Sequence, residues 1–349
     1  MLTYKKLNNH EAQSWNIKLQ ETNASYFQYP YYGEGHEGLP YSSVSYYELN
    51  ESERCIGFAT ILDVNFGPLK IGLVTRGPVV FEEVNTPKIL TLLKRIQCNN
   101  KYLFIRVSPN IYDDELTKLL NDDIKVLKKD YFPIYRGSQD RDFIIENIDN
   151  TEESLLKSYK PRARQKIRFA SEENFNYYVS TSLADLKRVY EMFMKLSGKK
   201  EFIFRSLNSY QKILEAGSKV GLAELHIIEE HQKIVNAVLV LKDKNTFINF
   251  SGGLISGEYR PRNSPGAFLH HEIIKKALIH EQKKYYNISY TSPDHPVYEF
   301  KTLFNPTEMP FPKYYTITDK PMLIKVFSSL ILKLMPKIKS VIRKKHGNK

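Results

Sequence analysis

A chain of 349 residues, 42% of them hydrophobic, has the length for about two domains and enough apolar content for a sizeable core, which argues against global disorder. A formal net charge of +12 points to anionic partners: nucleic acid, phosphorylated ligands or an anionic membrane surface. Cys55 and Cys98 stand outside any CxxC or CxH pattern, so neither a disulfide framework nor a zinc site is expected, and a reducing, cytoplasmic setting fits.

The opening MLTYKKLNNHEAQSWNIKLQ lacks the apolar run of a signal peptide, and no segment offers the roughly 18 apolar residues of a spanning helix. GEGHEG at 33–38 matches GxGxxG, which marks a dinucleotide site only between a strand and a helix. Pro40 and a β-rich run follow, so a surface loop is expected. SSVSYYELN, CIGFATILDV, LKIGLVTRGPVV, YLFIRVSP and RDFIIENI then read as strands. TPKILTLLKRIQ reads as a helix with Thr86 as N-cap and Pro87 at its first position.

DNTEESLLKSY carries a helix start with acids in its first turn, and Pro161 restarts a helix through RARQKIRFASEEN. SLADLKRVYEMFMKLSG and NSYQKILEAGSK continue as helices. GLAELHIIEE, KIVNAVLVLK and TFINFSGGLI form a strand meander, and RPRNSPGAFLHHEIIKKAL and YYNISY close the series as a loop-helix and a strand. Residues 71–108 and 246–290 share one order: strand, Gly-rich exit, Pro-bearing helix start, helix, strand. That order suggests a duplicated α/β unit.

HExxH and GxSxG are absent. His270 and His271 are adjacent on a helix, where side chains diverge; His271 is expected to face a ligand while His270 packs. No metal site is expected. In the loop-helix, a helix N-terminus offers unpaired N–H groups, glycine allows close approach, and arginines add forked donors. Arg260, Arg262, Ser264, Gly266 and Ala267 thus describe a phosphate cradle, with an ordinary helix start as the alternative. Arg164 and Arg168 lie four apart on one helical face and suit a diphosphate or an RNA backbone, or else form a solvated basic face. Lys301 sits among Phe300, Leu303 and Phe304, placed either to stabilise an oxyanion or to snorkel from a core helix.

Residues 319–349 form a third segment. Positions 321–349 hold eight Lys/Arg and no acid, so without them the charge of +12 falls by eight to +4. Leu323, Phe327, Leu330, Leu334, Ile338 and Val341 keep helical spacing opposite Lys325, Ser329 and Arg343, the pattern of an interfacial helix on an anionic leaflet. A docked C-terminal helix with a frayed basic end is the alternative.

Three patches, in this order, carry a family resemblance. ARQKIRFA resembles the T-R-Y-N-I-R-x-A element of FemAB aminoacyltransferases, with Arg164, Ile167, Arg168 and Ala170 in register. NSPGAFLHHEIIKKAL is similar to the strand-exit loop and helix of FemAB and, more closely, of BioF-like acyltransferases of the GNAT superfamily. EFKTLF resembles their F-K-x-x-F element. RGPVV and FIRVSP look like first-half strands of that family, and the resemblance spans about residues 25–318.

The resemblance implies an α/β (α+β) fold of two tandem GNAT-like domains, each a mixed, mostly antiparallel sheet flanked by helices, over residues 1–150 and 151–318. It implies transfer of an acyl group to an amine of a cell-envelope glycan or peptidoglycan precursor, including a lipid-linked one. Acetyl-CoA is the favoured donor and aminoacyl-tRNA the alternative; no permanently bound cofactor is implied. By motif match Arg164 and Arg168 would hold acceptor phosphates, Gln28 would bind substrate, and Lys301 would stabilise the tetrahedral intermediate. Asp294 and His295, just before the Lys301 helix, are candidate bases by proximity. The chain departs from the pattern in having Pro265 where the pyrophosphate loop has glycine, and in lacking the Trp and Lys that follow the N-terminal Gln in FemAB proteins. It also lacks their inserted helical arm. A non-catalytic membrane- or RNA-binding module on a degenerate scaffold is the reading from another class. The interfacial tail would hold the protein at the inner face of the membrane.

Overall fold

The computed structural model describes residues 1–36, 42–66, 68–110, 113–122, 126–127, 141–146, 149, 151–197, 204–254 and 264–324. Two compact units divide the chain, one of Met1–Lys6, Pro40–Arg136 and Pro312–Lys349, the other of Leu7–Leu39 and Gly137–Phe311. They are not the contiguous stretches 1–150 and 151–318 expected from sequence. Residues 7–39 belong with the second half because long-range bonds tie them there. Tyr31 Oη donates to the Lys242 carbonyl and Ser209 Oγ to that of Gly35. The GEGHEG stretch is accordingly no surface loop where it is described. Gly33 is buried in the helix Pro30–Glu34, and a Cβ on Gly35 would fall 2.4 Å from Ile213 Cδ1, so only glycine lets the two helices approach.

The first unit holds an eight-stranded sheet. Ser42–Glu51, Arg54–Phe66 and Leu69–Thr75 follow as antiparallel neighbours, and Tyr102–Ser108 then pairs parallel to Leu69–Thr75. A parallel pair needs a crossover, and the helix Thr86–Asn99 supplies it. Its Ile89, Leu90, Leu93 and Ile96 share a buried cluster with Ile105 and Val107. The helix starts one residue earlier than expected: Asn85 is the N-cap, Thr86 and Pro87 fill the first turn, and Thr86 Oγ1 donates back to the Glu83 carbonyl.

The second unit holds a seven-stranded sheet in the order Thr307–Pro310, Arg141–Glu146, Tyr285–Thr291, Thr246–Leu254, Lys233–Lys242, Ala223–Glu230, Asn176–Ser180. Every pairing is antiparallel except Thr246–Leu254 with Tyr285–Thr291. The helices Pro161–Ser171 and Pro265–Lys275 turn Ala163, Ile167, Leu269 and Ile273 into a core with Phe143, Val240, Phe247 and Tyr286. Full burial of a leucine, isoleucine or valine side chain there contributes about 1.5–3 kcal/mol. The mixed, mostly antiparallel sheets flanked by helices match the fold expected from sequence.

Among the described residues no helix is long and apolar enough to cross a membrane. Of the amphipathic pattern in the C-terminal segment, Leu323 is described and is exposed; the rest falls on residues 325–349, outside the described residues.

Candidate active site

The site arises where two parallel strands stop pairing. Thr246–Leu254 and Tyr285–Thr291 match at Thr246–Tyr285, Phe247–Tyr286 and Ile248–Asn287, and then part. Three local features turn the second strand away. Ser289 takes a left-handed conformation with φ 74°, which a non-glycine residue adopts only under constraint. Asn287 supplies that constraint: its Oδ1 accepts from Ser289 N at 2.8 Å, while its Nδ2 donates to Asp142 Oδ1 at 3.0 Å. Lys301, on the short helix Tyr298–Thr302, completes it by donating Nζ to the carbonyls of Ser289 and Tyr290 at 3.1 and 2.9 Å.

A cavity of about 600 Å³ opens in the wedge, walled by Asn249–Leu254 on one side and Ile288–Ser292 on the other. Gly266 and His270 of the helix Pro265–Lys275, with Phe300 and Lys301, line it further. Lys301 is 7% exposed, and no acidic side chain is among the described residues of the lining. A buried ammonium is costly unless hydrogen-bonded, and the two carbonyls help to meet that need. The wedge therefore presents a fixed cation to any carbonyl oxygen that enters it.

His270 Nδ1 lies 2.7 Å from Tyr286 Oη. Burial, with the Lys301 ammonium adding to it, pulls the imidazole down to about 3, so the ring is neutral. The two adjacent histidines thus exchange their expected roles. His270 lines the cavity, while His271 packs on Tyr159 and bonds Glu152 through Nε2 at 3.2 Å.

Of the other described sequence candidates, one joins the cavity and the rest lie elsewhere. His295 joins Lys301 and Gly266 in the lining, and its Nδ1 accepts from Val297 N at 3.3 Å. Asp294 is exposed and outside the lining. Ser264 caps the helix, its Oγ accepting from Ala267 N at 3.3 Å, and Ala267 is buried. Arg260 and Arg262 lie outside the described residues. Arg164 and Arg168 line a separate surface concavity with Arg162 and Gln165, and Arg164 is oriented by bonds to the Lys157 and Tyr159 carbonyls. Gln28 is wholly buried and is not in the lining of this cavity.

Sequence reasoning missed Asn287, Ser289 and Tyr286. The Asn-x-Ser step was the available signal, since an Asn side chain readily bonds the backbone two residues on. It also missed Arg205, whose guanidinium bonds Tyr32 Oη and His36 Nε2 and lies 5.3 Å from the ring of Phe250, a residue of the cavity wall.

Residues 157–287 match the family model described as an Acetyltransferase (GNAT) domain. The Lipid II:glycine glycyltransferases of two Staphylococcus epidermidis strains are each 25% identical over 183 residues, covering 48% of this chain and 42% of the relative. The match thus spans less than half the length of these curated relatives. Among solved structures, FemX superposes with a TM-score of 0.77 at 15% identity, over 93% of this chain and 100% of that chain. The structure of L-PGS from Bacillus licheniformis gives 0.57 at 12% identity, over 92% and 96%. A tandem GNAT protein from the clavulanic acid biosynthesis pathway gives 0.50 at 10%, over 90% and 98%. At these identities the structural matches show the fold. Residues 157–287 are thus similar to a GNAT-type acetyltransferase domain, and the resemblance to FemAB aminoacyltransferases is supported by that match and by the glycyltransferase relatives.

Proposed function

We propose that the chain transfers an aminoacyl group to an amine of a peptidoglycan precursor of the lipid II class. The wedge cavity with Lys301 at its base is the observation that carries this reading. In such a transfer the amine nitrogen attacks the acyl carbon, a new N–C bond forms, and charge collects on the carbonyl oxygen. The acyl C–O bond then breaks, and the proton of the attacking nitrogen ends on the leaving hydroxyl. A buried ammonium stabilises the charged intermediate more than the neutral carbonyl, which is the requirement for catalysis.

The acceptor class comes from the glycyltransferase relatives, whose name specifies lipid II. That relation favours the aminoacyl alternative over the acetyl-CoA donor first preferred from sequence. The helix start gives a physical reason for the same preference. Pro265 has no N–H to offer, and the Ala267 N–H is taken by Ser264, so two donors of a pyrophosphate cradle are missing. An aminoacyl ester carried on tRNA makes no such demand of the helix start. In this reading Arg164 and Arg168, outside the cavity, contact phosphates of the donor or acceptor, and the basic C-terminal segment brings the protein to the leaflet that holds a lipid-linked substrate.

The test incubates the full chain with lipid II and a mixture of radiolabelled aminoacyl-tRNAs, with acetyl-CoA in a parallel reaction. The expected result is label transfer to lipid II that RNase abolishes. RNase-insensitive acetyl transfer from acetyl-CoA would overturn the donor assignment.

A further inference from the structure

We infer that His270 is a second donor to the reacting carbonyl, presenting a neutral Nε2–H to the cavity beside Lys301, and that Tyr286 is the positioning residue that sets this tautomer. The chemistry rests on the acyl-transfer reading above; the tautomer does not.

The argument begins with one hydrogen. Tyr286 is wholly buried, and among the described residues its phenol has one hydrogen-bond partner, His270 Nδ1. Were Nδ1 the donor, the phenolic hydrogen would be buried with no acceptor, which folded proteins avoid. The phenol therefore donates, Nδ1 accepts, and the single proton of a neutral imidazole sits on Nε2. His270 lies one turn beyond Gly266 on the same helix, and both line the cavity. No described residue bonds Nε2, so the donor left over is available to a ligand.

The ring's low basicity fixes which role it can fill. An imidazole pulled down to about 3 takes up protons poorly near neutral pH, which disqualifies it as a general base. The same property keeps it neutral beside an ammonium, where a donating imidazole polarises a carbonyl without adding a second charge. Lys301 already gives hydrogen bonds to two strand carbonyls, so a second, uncommitted donor strengthens the grip on a developing oxyanion. During transfer His270 neither gains nor loses a proton. The carbonyl electrons move onto oxygen as the N–C bond forms and return as the acyl C–O bond of the ester breaks, and the amine proton leaves with the released hydroxyl.

Two measurements test this on the full chain. With histidine labelled in 15N, the His270 signals are those that vanish in His270→Gln. At neutral pH they are expected to show the Nε2–H tautomer, and Tyr286→Phe is expected to shift the population toward Nδ1–H. An Nδ1–H tautomer or an imidazolium in the unaltered chain would overturn the inference. In the transfer assay, His270→Leu is expected to lower kcat by about a hundredfold with little change in KM, and His270→Gln, which keeps an N–H near the Nε2 position, to recover about a tenth of the original rate. Equal losses in the two variants, or none in either, remove the donor role. Absence of turnover in the unaltered chain with every donor sinks the acyl-transfer reading and the donor role with it, while the spectrum still decides the tautomer.

Discussion

The two units use the same local plan to different ends. Each contains one parallel strand pair joined through a proline-started helix. In the first unit Leu69–Thr75 and Tyr102–Ser108 match at Lys70–Tyr102, skip Leu103 at a register shift, and then stay paired from Ile71–Phe104 to Thr75–Ser108, the end of both strands. In the second unit Thr246–Leu254 and Tyr285–Thr291 separate after three matched positions. Strand 102–108 is buried at every position, and Tyr315–Ile317 pairs along its other edge at Ile105–Val107, so past the register shift at Leu103 neighbours on both sides keep it in the sheet. Strand 285–291 is bent by one left-handed serine, one asparagine side chain and one lysine. A site on this fold is thus a local failure of pairing, with polar groups taking over the backbone bonds that the ladder gives up.

The largest expected effect comes from removing the cation that holds the wedge and faces its contents. Lys301→Met keeps the length of the side chain and loses both bonds to the Ser289 and Tyr290 carbonyls. Turnover should fall by about 10²–10³-fold, and hydrogen exchange at 288–292 should quicken. A variant with full turnover would show that the wedge needs no cation, and the contrast with the first unit would then be one of shape alone.

A smaller effect should follow Asn287→Ala. The change removes the acceptor for Ser289 N and the donor to Asp142, both buried or nearly so, at a cost of about 1–3 kcal/mol. Without that tether Ser289 can leave the left-handed region, and the second pair should come to resemble the first. We expect a lower urea midpoint together with a kcat reduced about tenfold, because misplaced walls spoil the approach of the reacting groups. Loss of stability with unchanged kcat would mean that the bend is not what shapes the site.

Much of the fold was legible because its signals are local. Aromatic and β-branched runs marked the long strands, and DNTEESLL announced a helix that Thr151 caps, its Oγ1 accepting from Ser154 N. Lys301 stood out because a lysine between Phe300 and Phe304 demands an explanation. The site itself was less legible, because its determinants act across the sequence. Asn287 reaches Asp142, and Lys301 reaches carbonyls on another element. Neighbouring helical positions point about 100° apart, so sequence could say that one of His270 and His271 packs while the other faces a ligand, but its choice of His271 for the ligand was not the histidine that lines the cavity. The placement of residues 7–39 depended in the same way on partners such as Lys242, more than 200 residues distant.

Acid offers the gentlest way to separate the units, since every described histidine lies in the second. Burial pulls His36 and His270 down from 6.5 to about 3, with the Arg205 guanidinium adding to the effect on the first and the Lys301 ammonium on the second. The unfolded chain therefore binds these protons near 6.5, whereas the folded unit resists them until near 3. Their contribution to stability is complete above 6.5 and drains away as pH falls through that window, at no more than about 1.4 kcal/mol per pH unit for each ring. Asp243, raised by burial from 3.8 to about 6, acts with the opposite sign: its contribution is complete below 3.8 and is lost as pH rises through 6. It offsets one histidine and leaves a net loss on acidification. Moving from pH 7.5 to 5 should therefore weaken amide protection in strands 223–254 of the second unit before that in strands 54–75 of the first. Simultaneous loss in both, or earlier loss in the first, would show that acid acts on the chain as one cooperative body and that the buried rings do not set the order.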